Sequence, residues 1–272
     1  MHSTVSRWLI GLLLVLVPCA AQSKVVYVNK NASGATHDGA TWATAFLTVQ
    51  EGVTAAASGD EVWVAASTPA APAYIENIMP TMNVSLYGGF NGTESDRAQR
   101  DWNANVTILD GNQTGSVLRG AVTTVDGFTI RNGKAFVGGG MEIFGSSTIS
   151  HNVITANSAD MMGVVVVTGF ATVTNCVIAG NTGTALYTDA DSVLTNNTIV
   201  GNKGSGLSAF WGTSTVYNTI IAFNDDGLVC SSFSRYVLVT AQPDSSGMRG
   251  RPSKTDWRAA SREMLCFLRV AM

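Results

Sequence analysis

Five segments of this chain repeat one nine-residue pattern, and that repetition restricts the chain to a stack of similar coils. They are Val125–Gly133 (VDGFTIRNG), Ile149–Asn157 (ISHNVITAN), Val173–Asn181 (VTNCVIAGN), Leu194–Asn202 (LTNNTIVGN) and Val216–Asn224 (VYNTIIAFN). Their last residues, 133, 157, 181, 202 and 224, step by 24, 24, 21 and 22. A period in the low twenties is one turn of a β-solenoid with three short strands. The first position is always aliphatic (Val125, Ile149, Val173, Leu194, Val216) and the sixth is always Ile (Ile130, Ile154, Ile178, Ile199, Ile221). Residues one period apart stack, so these columns predict the core. The third position (Gly127, His151, Asn175, Asn196, Asn218) and the ninth (Gly133, Asn157, Asn181, Asn202, Asn224) read as corners. Gly and Asn suit the left-handed backbone of a corner, and stacked Asn side chains can bond along the ladder. A further strand follows each repeat: Gly140–Ile143, Val164–Val167, Ala185–Thr188, Gly206–Ala209 and Gly227–Cys230.

The open ends of such a stack need covers. Lys24–Asn29 alternates as a strand, and Thr48-Val-Gln-Glu51 is a capping box that opens a helix. Val49, Val53 and Ala56 share one face of that helix, and Gly59 is expected to end it. Glu61–Ala65, Asn83–Tyr87 and Val106–Leu109 read as the first coil strands, and proline-bearing Ser67–Pro80 as a surface loop.

Charged residues make up only 13% of the chain and there are 28 glycines, a composition of short strands and tight turns. The net charge of -3 argues against a nucleic-acid partner. Residues 1–21 read as a signal peptide. Trp8–Val17 is apolar but too short to span a bilayer, Pro18 breaks it, and Cys19-Ala20-Ala21 supplies small residues for cleavage. A lipoprotein anchored through Cys19 is the rival reading, disfavoured by Pro18. No later stretch is a candidate membrane span, so a secreted or cell-surface protein is expected. Cys176 and Cys230 read as apolar core residues, since the cysteines show no metal or disulfide spacing.

The opening segments Tyr27-Val-Asn29, Asp38–Ala43 (DGATWA) and Gly59–Ala65 (GDEVWVA) resemble those of bacterial right-handed parallel β-helix proteins. Leu86–Phe90 (LYGGF) and Gly92–Trp102 (GTESDRAQRDW) are similar to a signature of the same group, which includes relatives of polymorphic outer-membrane proteins. The resemblance covers residues 24 to about 230. It implies an all-β, right-handed parallel β-helix with an N-terminal capping helix. It also implies an exported, pectate-lyase-like scaffold, often adhesin-like, whose partners are extracellular polysaccharide or cell-surface components. The domain is placed at 22–230, and a monomer is expected.

From Ser231 the repeat stops, and seven of the sixteen Lys and Arg residues lie from Arg235 onward. Residues 231–272 read either as a basic cap or tail for an anionic surface, or as the product of truncation or a reading-frame change.

In pectate-lyase-like enzymes, acids on one strand face hold Ca²⁺ or move protons and a cation abstracts one. No family catalytic motif carries over to this sequence. The catalytic candidates are Glu142, Asp189 and Lys203; Asp189 and Asp191, at i and i+2, are the candidates for Ca²⁺; otherwise no cofactor is expected. Against these stand plain readings: turn solvation for Asp189, Asp191 and Asp225-Asp226, and exposure for Lys203. His151, at a corner position, reads as satisfied by hydrogen bonds. Tyr187, Phe210 and Trp211 read as exposed aromatics on one face, able to stack on sugar rings or to pack against loops. Two functions follow: a non-catalytic exported surface protein, or a carbohydrate-active lyase or hydrolase.

Overall fold

The computed structural model describes residues 23–69, 72–80, 83–210, 212–230 and 234–240. Residues 1–21, read above as a signal peptide, Trp211 and the tail after Thr240 lie outside the described residues. The chain winds as a right-handed parallel β-solenoid whose strands form three long sheets.

Among the described residues the first sheet has nine strands, from Val25–Val28 to Ser234–Thr240. The second has six, from Leu118–Gly120 to Asp226–Cys230, and the third seven, from Tyr74–Ile75 to Ile220–Ala222. Every pairing among the described residues is parallel, and the repeated coils run from first sheet to third to second. The sequence pattern fades at Ser231, yet Ser234–Thr240 still adds to the first sheet, with Val239 opposite Val216.

The aliphatic columns stack as their spacing requires. Val125, Ile149, Val173, Leu194 and Val216 stand in register down the first sheet, continuing Val26, Val62 and Leu86, and all are fully buried. Ile130, Ile154, Ile178 and Ile199 do the same in the third sheet, while Ile221 in the last coil is only partly buried. Met141, Val165, Leu186 and Leu207 line the second. Cys176 packs within this core, and burial pushes its thiol up to about 12.

The two corner columns divide their work in a way the pattern did not separate. The third position is the bend: Gly127, His151, Asn175, Asn196 and Asn218 all have positive φ. The ninth is not the strained residue. The eighth is (Asn132, Ala156, Gly180, Gly201, Phe223), and it turns the ninth-position Asn inward. Asn157, Asn181 and Asn202 are buried there and form the hydrogen-bonded ladder, with a shorter companion at Asn152 and Asn197. An Asn facing inward can satisfy the backbone groups that a corner leaves without ladder partners.

The helix spans Val49–Ala55 and carries the expected capping box, with Thr48 as N-cap and Glu51 reaching back. Ala56 ends it, three residues before Gly59: its N–H still closes on the Gly52 carbonyl, but its own backbone turns extended, with ψ 140°. The Glu76 carboxylate takes two further free N–H groups, from Val49 at 2.9 Å and Gln50 at 2.8 Å. Val49 and Val53 enter the core, and Gly52 lets the helix seat close to Val28 on the sheet's terminal strand. Ser67–Pro80 is more than a surface loop: its Tyr74 and Ile78 are buried in the core.

Candidate functional site

The signature-like segment Gly92–Trp102 folds as a clasp over the first sheet. The Glu94 carboxylate accepts the N–H groups of Asn91 (2.6 Å), Gly92 (3.0 Å) and Thr93 (3.0 Å), which closes a tight turn. Asp96 and Gln99 cap a short 3-10 helix, Arg97–Gln99. Arg100 then reaches Asp126 at 2.5 Å, with both side chains about nine-tenths buried. Ser150 donates to the same carboxylate, and the His151 Nδ1 lies 3.1 Å from it. Burial works against ionisation of Asp126; the bonds from Ser150 and His151 and the Arg100 charge outweigh it and hold the carboxyl below its ordinary range. His151 also packs against Trp102 at a tilt, with ring centroids 4.3 Å apart, and its Nε2 meets Asn175 at 3.2 Å. It is therefore a satisfied corner residue, as expected.

A groove of about 600 Å³ opens on the outer side of the second sheet. Its base holds Glu142 and Arg119, and its walls include Asn77, Met79 and Phe136. Arg119 stands one coil before Glu142, and its Nε lies 2.6 Å from the Glu142 carboxylate. The guanidinium is half exposed and also lies 5.9 Å from the Phe144 ring. Phe136 and Met79 are 62% and 60% exposed, so apolar surface and a cation face the same space. The wall exists because the coils ending at 157 and 181 are 24 residues long. Their extra residues lie between the third and second sheets, where Lys134–Ala135 and Ser158–Ala159 pair as a small ladder of their own.

Glu142 shares one outward column with Val166, Tyr187 and Ser208. Tyr187 is 7% exposed rather than open, because Phe210 covers it with centroids 6.2 Å apart. Burial, and then the Asp189 charge, push the Tyr187 hydroxyl up. Phe210 is exposed. Asp189 and Asp191 do not share a strand face; they flank the corner between Leu186–Thr188 and Ser192–Thr195. Asp189 accepts the Gly169 N–H at 3.1 Å, a turn contact. Lys203 sits at a different corner, exposed, with its backbone bridging to Thr182. The structure therefore groups Glu142, Tyr187 and Phe210 on one face and leaves Lys203 apart. Among the described residues no cluster of three or more His, Cys, Asp or Glu is arranged for a metal.

Sequence reasoning missed Arg119, Phe136 and Met79. Arg119 was within reach, since Leu118-Arg-Gly120 aligns with Met141-Glu-Ile143 column by column. Phe136 and Met79 lie in segments without period. Among the described residues no helix is long and apolar enough to cross a membrane. No curated protein and no solved structure matches the chain. Residues 101–240, about half of it, match the family described as the right handed beta helix region, and with its three parallel sheets and stacked corners the chain belongs to that family.

Proposed function

We propose that this protein is an exported, non-catalytic β-helix rod, secreted or held at the cell surface, that engages extracellular polysaccharide along the outer face of its second sheet. One observation carries the reading: Arg119, Phe136 and Met79 converge on a groove of about 600 Å³ whose face continues to the Tyr187–Phe210 pair. Sugar rings stack on exposed aromatic faces, and a guanidinium offers a planar fork of donors to hydroxyls and carboxylates. Residues 1–21 supply the export signal.

The competing reading is a polysaccharide lyase or hydrolase, and it draws on the same Arg119–Glu142 pair. It assigns an acid and a cation to one coil step, with Asp189 as a further acid. Two measurements separate the readings. Binding of the purified chain to immobilised pectin, alginate and neutral glycans should be detectable and should weaken about tenfold in Arg119→Ala or Phe136→Ala. Absence of binding to all of them defeats the proposal. Incubation with the same acidic polysaccharides should give no rise in unsaturated-sugar absorbance, with or without Ca²⁺; a Ca²⁺-dependent rise selects the enzyme.

A further inference from the structure

The chain holds two Asn-Gly pairs, Asn91-Gly92 and Asn132-Gly133, and the fold treats them in opposite ways. The backbone nitrogen after an Asn can attack that residue's own Cγ, most readily when the next residue is Gly and no side chain stands in the way. The step needs a base for the attacking N–H, donors for the oxygen on which charge develops, and water. At Asn91 these come together. The Gly92 N–H donates to the Glu94 Oε2 at 3.0 Å, so a carboxylate is placed to take its proton. The Asn91 Oδ1 accepts the Thr93 hydroxyl at 2.6 Å and the Thr93 N–H at 2.9 Å, two donors on the oxygen that becomes charged. The second bond folds the Asn91 side chain back along the Gly92 peptide, since the ring it closes contains both Cγ and the Gly92 nitrogen. Asn91 is exposed to water, whereas Glu94 is buried. At Asn132 the arrangement is reversed. Its side-chain nitrogen, the leaving group, is held by Asp110 at 2.8 Å. The Gly133 N–H donates at 2.8 Å to the amide oxygen of Asn157, which is no base, and both of those residues are buried.

We propose that the clasp turn promotes the conversion of its own Asn91 to aspartate and isoaspartate. The Gly92 nitrogen forms a bond to the Asn91 Cγ, its proton passes to Glu94, and charge builds on Oδ1 beneath the Thr93 donors. The Cγ–Nδ2 bond then breaks, and Nδ2 takes the proton back from Glu94 and leaves as ammonia. Water opens the resulting cyclic imide at either carbonyl, and Glu94 ends as it began. Opening toward isoaspartate adds one carbon to the main chain, inside a turn whose N–H groups at Asn91, Gly92 and Thr93 converge on one carboxylate. The clasp holds Trp42, whose Nε1 donates to the Glu94 carbonyl at 2.8 Å, and Glu61 through Arg97. Conversion loosens that hold, so the turn acts as a timer on the N-terminal end of the rod. This does not depend on what the Arg119 groove binds.

Incubation of the purified full chain at neutral pH, followed by peptide mass spectrometry and ammonia release, tests it. Asn91 should convert about tenfold faster in the folded chain than in concentrated urea, and Asn132 more slowly than in urea. Glu94→Gln should slow the folded-state conversion of Asn91 about tenfold, and Thr93→Val severalfold, each compared with its own rate in urea. The Asp-Gly pairs do not confuse the readout, because their isomerisation leaves the mass unchanged and releases no ammonia. Thermal melts confirm that each variant is folded; Thr93→Val, which keeps the shape of an exposed side chain, is the arm least open to misfolding. Conversion of Asn91 no faster in the folded chain than in urea overturns the proposal. So do parent rates in both folded variants, or equal conversion of Asn91 and Asn132 in the native chain.

Discussion

Asn157 and Asn181 stand one coil apart, and the Asn181 Oδ1 accepts both the backbone N–H of Asn157 at 2.9 Å and its side-chain amide at 3.2 Å. The relation repeats from Asn181 to Asn202 and from Asn202 to Asn224. Each amide nitrogen also donates to the carbonyl of an Ile in the preceding coil. One side chain thus joins three coils, and its removal strands donors and acceptors that water cannot reach.

Asn181→Ala should therefore destabilise by about 2–4 kcal/mol, because a buried group left without a partner costs more than an average hydrogen bond. Asn175, in the bend column, is exposed and has φ 54°. Asn175→Gly should be close to neutral, since Gly adopts that backbone freely. Urea melts of the two variants check this; equal losses would show that the ninth column is not the ladder that holds the coils.

Ile178 is fully buried between Ile154 and Ile199, one coil away on each side. Ile178→Ala should cost about 2–5 kcal/mol, the usual range for opening a cavity in a packed core. Ala179→Ser, one residue on and facing outward, should cost under about 0.5 kcal/mol. Ile221→Ala should cost less than Ile178→Ala, because Ile221 is already partly open. A melt series over the three variants decides the order.

The clasp predicts a pH dependence. The folded Asp126 carboxyl lies below its ordinary value, so its stabilisation is complete above that value and is lost as pH falls through the folded one. Asp110 behaves alike: burial opposes its ionisation, but bonds from Asn112, Arg131 and Asn132 outweigh it. Melting temperature should then fall below about pH 4, where ordinary aspartates begin to take up protons. Asp126→Asn should be less stable at neutral pH, with Arg100 left unpaired, and should show a shallower acid slope, with the remainder from Asp110. An acid slope identical to that of the parent would refute the role given to Asp126.

The coils were legible because their core recurs: Val125, Ile149, Val173 and Leu194 announce one column, and the Ile series a second. Recurrence carries register, and register carries burial. The inward turn of the ninth-position Asn was less visible, since a left-handed neighbour sets it and Ala156 or Phe223 can occupy that place as well as Gly. Tyr74 and Ile78 were hidden among prolines and share no period with the later coils. The groove was least visible. Phe136 and Met79 gain meaning only from what the winding sets beside them. Tyr187 was misjudged for the same reason, because the ring that covers it arrives one coil later.

The 24-residue and 21-residue coils stack on the same buried columns, although three residues separate their lengths. The difference falls between the third and second sheets, on the outside. Lengthening such a corner adds only a slowly growing closure entropy and leaves the stacked interior as it was. What the rod presents to its surroundings can thus be rewritten at the corners, coil by coil, while its interior stays under separate constraint. A lineage, or an engineer, could graft new recognition loops after Ala135 or Ala159 without redesigning anything inside.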